Sequence, residues 1–101
     1  MSFERCVGLE VADEAIYQQY RDGMAPILSR YGGEFRYDFN IAKTLKSVTP
    51  ASINRLFIIA FKDKATHDAF FEDVEYKQVR DKFFKPAVSN STVLATYEIN
   101  R

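Results

Sequence analysis

Six consecutive residues, Leu56-Phe57-Ile58-Ile59-Ala60-Phe61, are apolar without interruption, and a strand of that composition has no side that water can cover. Successive strand side chains point to opposite faces, so Phe57, Ile59 and Phe61 need one apolar layer and Leu56, Ile58 and Ala60 need another. Any fold open to this chain must cover both sides of that strand.

The flanking patterns say what can do the covering. Val7, Leu9 and Val11 alternate with Cys6, Gly8 and Glu10, the period of a first strand over residues 3–11. Asp13 can cap a helix whose stripe runs Ile16, Tyr20, Met24, Ile27, Leu28 and Tyr31. Pro26 removes an amide donor within it, so a bend or break is expected near residues 23–26. Gly32-Gly33 ends the helix. Phe35, Tyr37, Phe39 and Ile41 then alternate with polar residues as a second strand, and residues 42–53, with Thr49-Pro50-Ala51-Ser52 as a turn, read as a hairpin or mobile flap. After the apolar strand, Asp63 caps a second helical stripe that residues 73–75 divide in two. Pro86 ends it, Asn90-Ser91 turns, and Val93, Ala95, Tyr97 and Ile99 alternate as a fourth strand.

The order is β-α-β-β-α-β. Two right-handed crossovers place both helices on one face of a four-stranded antiparallel sheet, the ferredoxin-like α+β arrangement, within one domain over residues 1–101. The other face is expected to carry Cys6, Gly8, Arg36, Asp38, Asn40, Leu56, Ile58, Ala60, Leu94 and Thr96. Its apolar centre is large enough to call for a second copy, giving a dimeric α/β barrel with Arg36, Asp38, Leu56, Ile58 and Leu94 at the interface.

Charge narrows the function classes. Fourteen Lys and Arg balance fourteen Asp and Glu, with no basic cluster, so neither nucleic acid nor an anionic membrane is an expected partner. No segment approaches the roughly 20 apolar residues of a membrane span, and the expected setting is the cytoplasm. One His and one Cys cannot supply a four-ligand zinc site, and neither metal nor cofactor is expected. No phosphate-binding glycine loop or nucleophile elbow is present.

The segment Tyr20 to Gly33, the apolar strand followed by Asp63, and Phe71-Glu72-Asp73-Val74-Glu75-Tyr76 resemble the family DUF1330 of the dimeric α/β-barrel superfamily, over residues 6–99. Tyr31-Gly32-Gly33 and Glu75-Tyr76 are the most specific parts of that resemblance. It implies the fold and the dimer rather than a chemistry. Glu34 and Phe83 stand where family members often carry basic residues.

Tyr20, Tyr31 and Tyr76 lie on or beside helical stripes, where a phenol can pack its ring and still turn its hydroxyl into a pocket between helices and sheet. Arg80, one turn beyond Tyr76, could hold a carboxylate, with a surface pair to Asp73 or Glu75 as the alternative. These four are the candidate ligand-binding residues. His67 is expected to face solvent among polar neighbours, and Cys6 to be a partly buried hydrophobe. The sequence therefore suggests a small homodimer that binds a small molecule without catalysis. The alternative is a cofactor-independent monooxygenase or isomerase acting on an aromatic or polyketide-like compound; a haem-dependent version would rest on His67. A cavity of about 300 Å³ or more would favour the enzyme.

Overall fold

The computed structural model describes residues 1–100. Four strands, β1 (Ser2–Val11), β2 (Glu34–Asn40), β3 (Arg55–Phe61) and β4 (Val88–Ile99), form one antiparallel sheet in the order β2-β3-β1-β4. Helix α1 (Glu14–Arg30) makes the first crossover. The second runs through α2 (Lys64–Glu72), α3 (Val74–Val79), a π-helical turn over Arg80–Phe84, and the short α4 (Lys85–Ala87). This is the ferredoxin-like topology that the strand and helix order predicts.

Local chemistry sets the boundaries. The Asp13 and Asp63 carboxylates accept from the amides of Ile16 and Thr66 and open α1 and α2; Asp73 accepts from the Tyr76 amide and opens α3. Asp73 is extended, which separates α2 from α3 where the sequence indicated a division. At the end of α1, Gly32 takes φ 68°, and the Gly33 amide donates to the Leu28 carbonyl. A Cβ on Gly33 would collide with Leu28 and Phe61, so glycine is also what lets the chain enter β2 beneath the helix.

Three expectations need correction. Helix α1 runs unbroken through Pro26, because Met24, Ile27 and Leu28 around it are all buried and their packing outweighs one missing backbone bond. The segment over residues 42–53 contains no strand; the Thr44 hydroxyl ties its two arms by pairing with the Ile53 amide and carbonyl. Asn90 and Ser91 lie inside β4, opposite Glu10 and Leu9, with the Asn90 amide bonded to Glu10.

The core lies between helices and sheet: Val7, Leu9, Val11, Ile59 and Phe61 from the strands meet Tyr17, Tyr20, Met24, Ile27, Phe70 and Tyr76. On the opposite face, Ile53 packs over Gly8, where an added Cβ would approach its Cδ1 to 2.7 Å. Two register shifts decide which side chains appear there. Phe35 pairs with Ile59 but Tyr37 with Ile58, so the strand switches face at Arg36. Tyr37 and Phe39 therefore join Leu56 and Ile58 on the helix-free face, stacked on each other and about half exposed, at 52% and 50%. The second shift, in the β1–β4 pairing, sets Ala95 opposite Cys6 and Thr96 opposite Arg5, so Thr96 lies on the helix side rather than the open one.

Candidate functional site

A cavity of about 50 Å³ lies between sheet and helices, walled by Val7, Leu9, Met24, Phe57 and Ile59. Tyr20 from α1 and Tyr76 from α3 meet at it, their hydroxyl oxygens 3.0 Å apart and buried. Two of the four sequence-predicted ligand residues are thus brought together, 56 positions apart in the chain. Burial, with the Tyr76 contact added, raises the Tyr20 phenol well above its ordinary pKa; burial also raises Tyr76. Both phenols are protonated near neutral pH and act as hydrogen-bond donors rather than bases.

Arg5 completes the polar wall, and the sequence reading missed it. It occupies an apolar-facing position of β1, opposite Ile59, and its guanidinium stands 4.6 Å from the centroid of Phe71. Its Nε is buried without a hydrogen-bond partner, and among the described residues it has no ion pair. Burial lowers its pKa, and the facing Tyr76 and Tyr20 act the other way. A charged residue in a helix-facing strand position was the available sequence signal.

Arg21 is also at the cavity but is fully engaged. Its Nε donates to the Tyr17 hydroxyl at 2.8 Å, its terminal nitrogens bond Asp38 at 3.1 and 3.2 Å, and its guanidinium lies 3.9 Å from the Phe35 centroid. Arg55 binds the same carboxylate at 2.8 and 2.9 Å. Burial alone would raise the Asp38 pKa, but hydrogen bonds from Arg55 and Arg21 outweigh it and hold the carboxyl below its usual range.

The other candidates sit elsewhere. Tyr31 donates to Asp73 at 2.7 Å and packs edge-on against Phe70, outside the cavity. Arg80 sits one regular turn beyond Tyr76, its amide bonded to the Tyr76 carbonyl, but its guanidinium bonds Asp81 and it does not line the cavity; the partner of Asp73 and Glu75 is Arg30. Asp38 faces the helix side, opposite Phe57, which separates it from Arg36; Asn40, opposite Arg55, lies on that side as well. Arg36, Leu56, Ile58 and Leu94 keep the face assigned to them, with Arg36 Nε 3.9 Å from Glu4, which accepts from the Tyr97 hydroxyl.

His67 does not face solvent. It is 9% exposed, its ring within 5.4 Å of the rings of Phe3, Phe61 and Phe71, with Nδ1 2.8 Å from Asp68 and Nε2 buried without a partner. Its polar sequence neighbours Thr66, which bonds Asp63, and Asp68, which stays half exposed, do not keep the histidine ring from turning inward. Burial lowers its pKa and the bond to Asp68 opposes that. Cys6 is half-buried on the helix-free face, and burial raises its thiol. Among the described residues no cluster of three metal-ligating side chains occurs, and no helix is long and apolar enough to cross a membrane.

No curated protein matches the sequence. Solved structures match the fold. A protein of unknown function from Rhodopseudomonas palustris is 14% identical, with TM-score 0.82 over 99% of this chain and 83% of that one. A DABB-family protein with a ferredoxin-like fold from Mesorhizobium loti is 12% identical, with TM-score 0.67 over 99% and 98%. A dimeric ferredoxin-like protein of unknown function from Jannaschia is 15% identical, with TM-score 0.62 over 98% and 100%. The match to a family model over residues 6–97 extends this likeness to the sequence itself, and the chain belongs to DUF1330, a domain of unknown function.

Proposed function

We propose that the protein is a non-catalytic, small-molecule-binding homodimer in which two copies meet through their helix-free sheet faces and each holds ligand between helices and sheet. The observation that carries the ligand reading is the convergence of Arg5, Tyr20 and Tyr76 on one apolar cavity. A few polar groups in an apolar concavity are what fix the orientation of a small ligand.

The dimer is supported by Tyr37, Phe39, Leu56, Ile58 and Leu94, an apolar surface rimmed by Arg36 and Glu4, and by the dimeric state named for the Jannaschia protein. Tyr37 and Phe39 take the place that Asp38 was expected to hold. A cytoplasmic setting suits the unpaired Cys6. Binding is favoured over turnover because the cavity is far below the size that accommodates a drug-sized substrate, and because both phenols are held protonated, which denies a base to proton abstraction.

A thermal-shift screen against metabolites, with each hit recovered and weighed by mass spectrometry, tests the reading. Selective ligands should raise the melting temperature, lose that effect in Tyr76→Phe, and return unchanged. Recovery of a chemically altered ligand would replace this reading with the monooxygenase or isomerase one, and a screen without selective hits would overturn it.

A further inference from the structure

Among the described residues, Arg5 is the one cationic group at the cavity whose charge is unanswered. Arg21 and Arg55 share Asp38, whereas Arg5 has an aromatic ring on one side, two neutral phenols beyond it and a buried Nε–H with nothing to accept it. A half-buried guanidinium without a carboxylate is costly, and such a charge is stabilised by a counter-ion with good hydrogen-bond geometry. The tyrosine pair supplies a second donor. One hydroxyl hydrogen closes the 3.0 Å bond between Tyr20 and Tyr76, and the other is unspent.

The geometry points to a carboxylate as the group that this cavity takes, anchored by the Arg5 guanidinium and by the free hydroxyl hydrogen of the Tyr20–Tyr76 pair. The inference rests on the ligand reading above and names its chemical class. Size and shape select within the anions: 50 Å³ is a third of the roughly 150 Å³ apolar cavity that admits benzene, room for a head group of three or four heavy atoms. A planar, singly charged carboxylate fits between Phe57, Phe71 and Met24 and presents an apolar stem to them. A tetrahedral, doubly charged phosphate would leave most of its charge facing hydrocarbon.

The test is a titration of the full chain with acetate and propionate, with acetamide and propionamide as neutral counterparts of the same shape, followed by the Arg5 Nε–H and Tyr76 amide resonances at constant chloride. Inorganic phosphate is run in parallel. The carboxylates should shift both resonances saturably, with half-saturation near about 1 mM for ligands of this size, while the amides and phosphate should not. Arg5→Gln should weaken carboxylate binding about tenfold or more. Equal responses to carboxylate and amide, or to carboxylate and phosphate, overturn the inference, and this comparison decides even where Arg5→Gln fails to fold. A neutral metabolite that binds in a Tyr76-dependent way, with carboxylates inert, overturns it and leaves the ligand reading standing. Inert carboxylates together with a metabolite screen that finds nothing overturn both.

Discussion

The buried hydroxyl pair between α1 and α3 can be weighed by a double-mutant cycle. In Tyr20→Phe the ring contacts remain, 5.0 Å to Phe84 and 5.6 Å to Tyr17, so the change removes one oxygen and leaves Tyr76 with a buried hydroxyl and no partner. An orphaned buried hydroxyl costs about 1–3 kcal/mol, and the position at the cavity edge sets the expectation at about 1.5 kcal/mol. Tyr76→Phe strands Tyr20 in the same way and should cost a similar amount. The double variant removes both groups, leaves nothing orphaned, and should cost little more than either single change, a coupling of about 1–1.5 kcal/mol. Urea unfolding at fixed protein concentration gives the three free energies. Thermal midpoints should follow, falling by about 4–8 °C per kcal/mol for a chain of this length. Costs that add to within about 0.3 kcal/mol would mean that the hydroxyls do not depend on each other, and the reasoning about the pair would be refuted.

Asp38→Ala withdraws the acceptor of both Arg21 and Arg55 and should destabilise by about 1–2 kcal/mol after allowance for its partial exposure, read by urea unfolding. Because the folded Asp38 carboxyl lies below its ordinary 3.8, its contribution is complete above that pH and disappears as pH falls through the folded value; Asp38→Asn should flatten this part of the acid-unfolding curve. His67 has the same sense: a folded pKa below 6.5 means that full stability above pH 6.5 declines as pH drops from there toward the folded value, and His67→Phe should remove that slope in urea midpoints. Ile58→Lys places a charge at the centre of the helix-free face, and sedimentation velocity should show monomer with an unchanged circular dichroism spectrum; a persisting dimer would refute the proposed interface.

Periodicity made most of the fold legible. The unbroken apolar run gave β3, alternation gave β1 and β2, and Asp13 and Asp63 stand where their carboxylates can close helix starts. The shape of the sheet faces was not legible, because a single extra residue at Arg36 reverses every later side chain of β2, and alternation carries no mark of a bulge. Simple alternation therefore sets Asp38 on the face of Arg36 and Tyr37 and Phe39 on the other, the reverse of the structure beyond the bulge. The site was half legible. Helical spacing put Tyr20 and Tyr76 on inward stripes and Arg80 one turn from Tyr76, as it is, but spacing carries no mark of the Asp81 carboxylate that takes up the guanidinium outside the cavity. His67 was misjudged because its chain neighbours are polar, whereas its spatial neighbours come from β1, β3 and the next turn of α2.

The π-helical turn has a bearing on how the cavity could change over evolutionary time. There the Lys85 amide donates to the Arg80 carbonyl, five residues back, so the helix carries one residue more than a regular winding would use. Phe84 follows from that surplus, and its ring forms part of the cavity wall beside Tyr20. Deleting a single residue between Arg80 and Phe83 would let the amide of Lys85 close an ordinary four-residue bond to the Arg80 carbonyl, with Lys85 and the chain beyond it kept in register, because the wide turn already absorbs the surplus residue. One codon can thus be lost or gained at this turn while Phe84 and every residue lining the chamber from the sheet keep their places, so chain length can drift here without cost to the chamber.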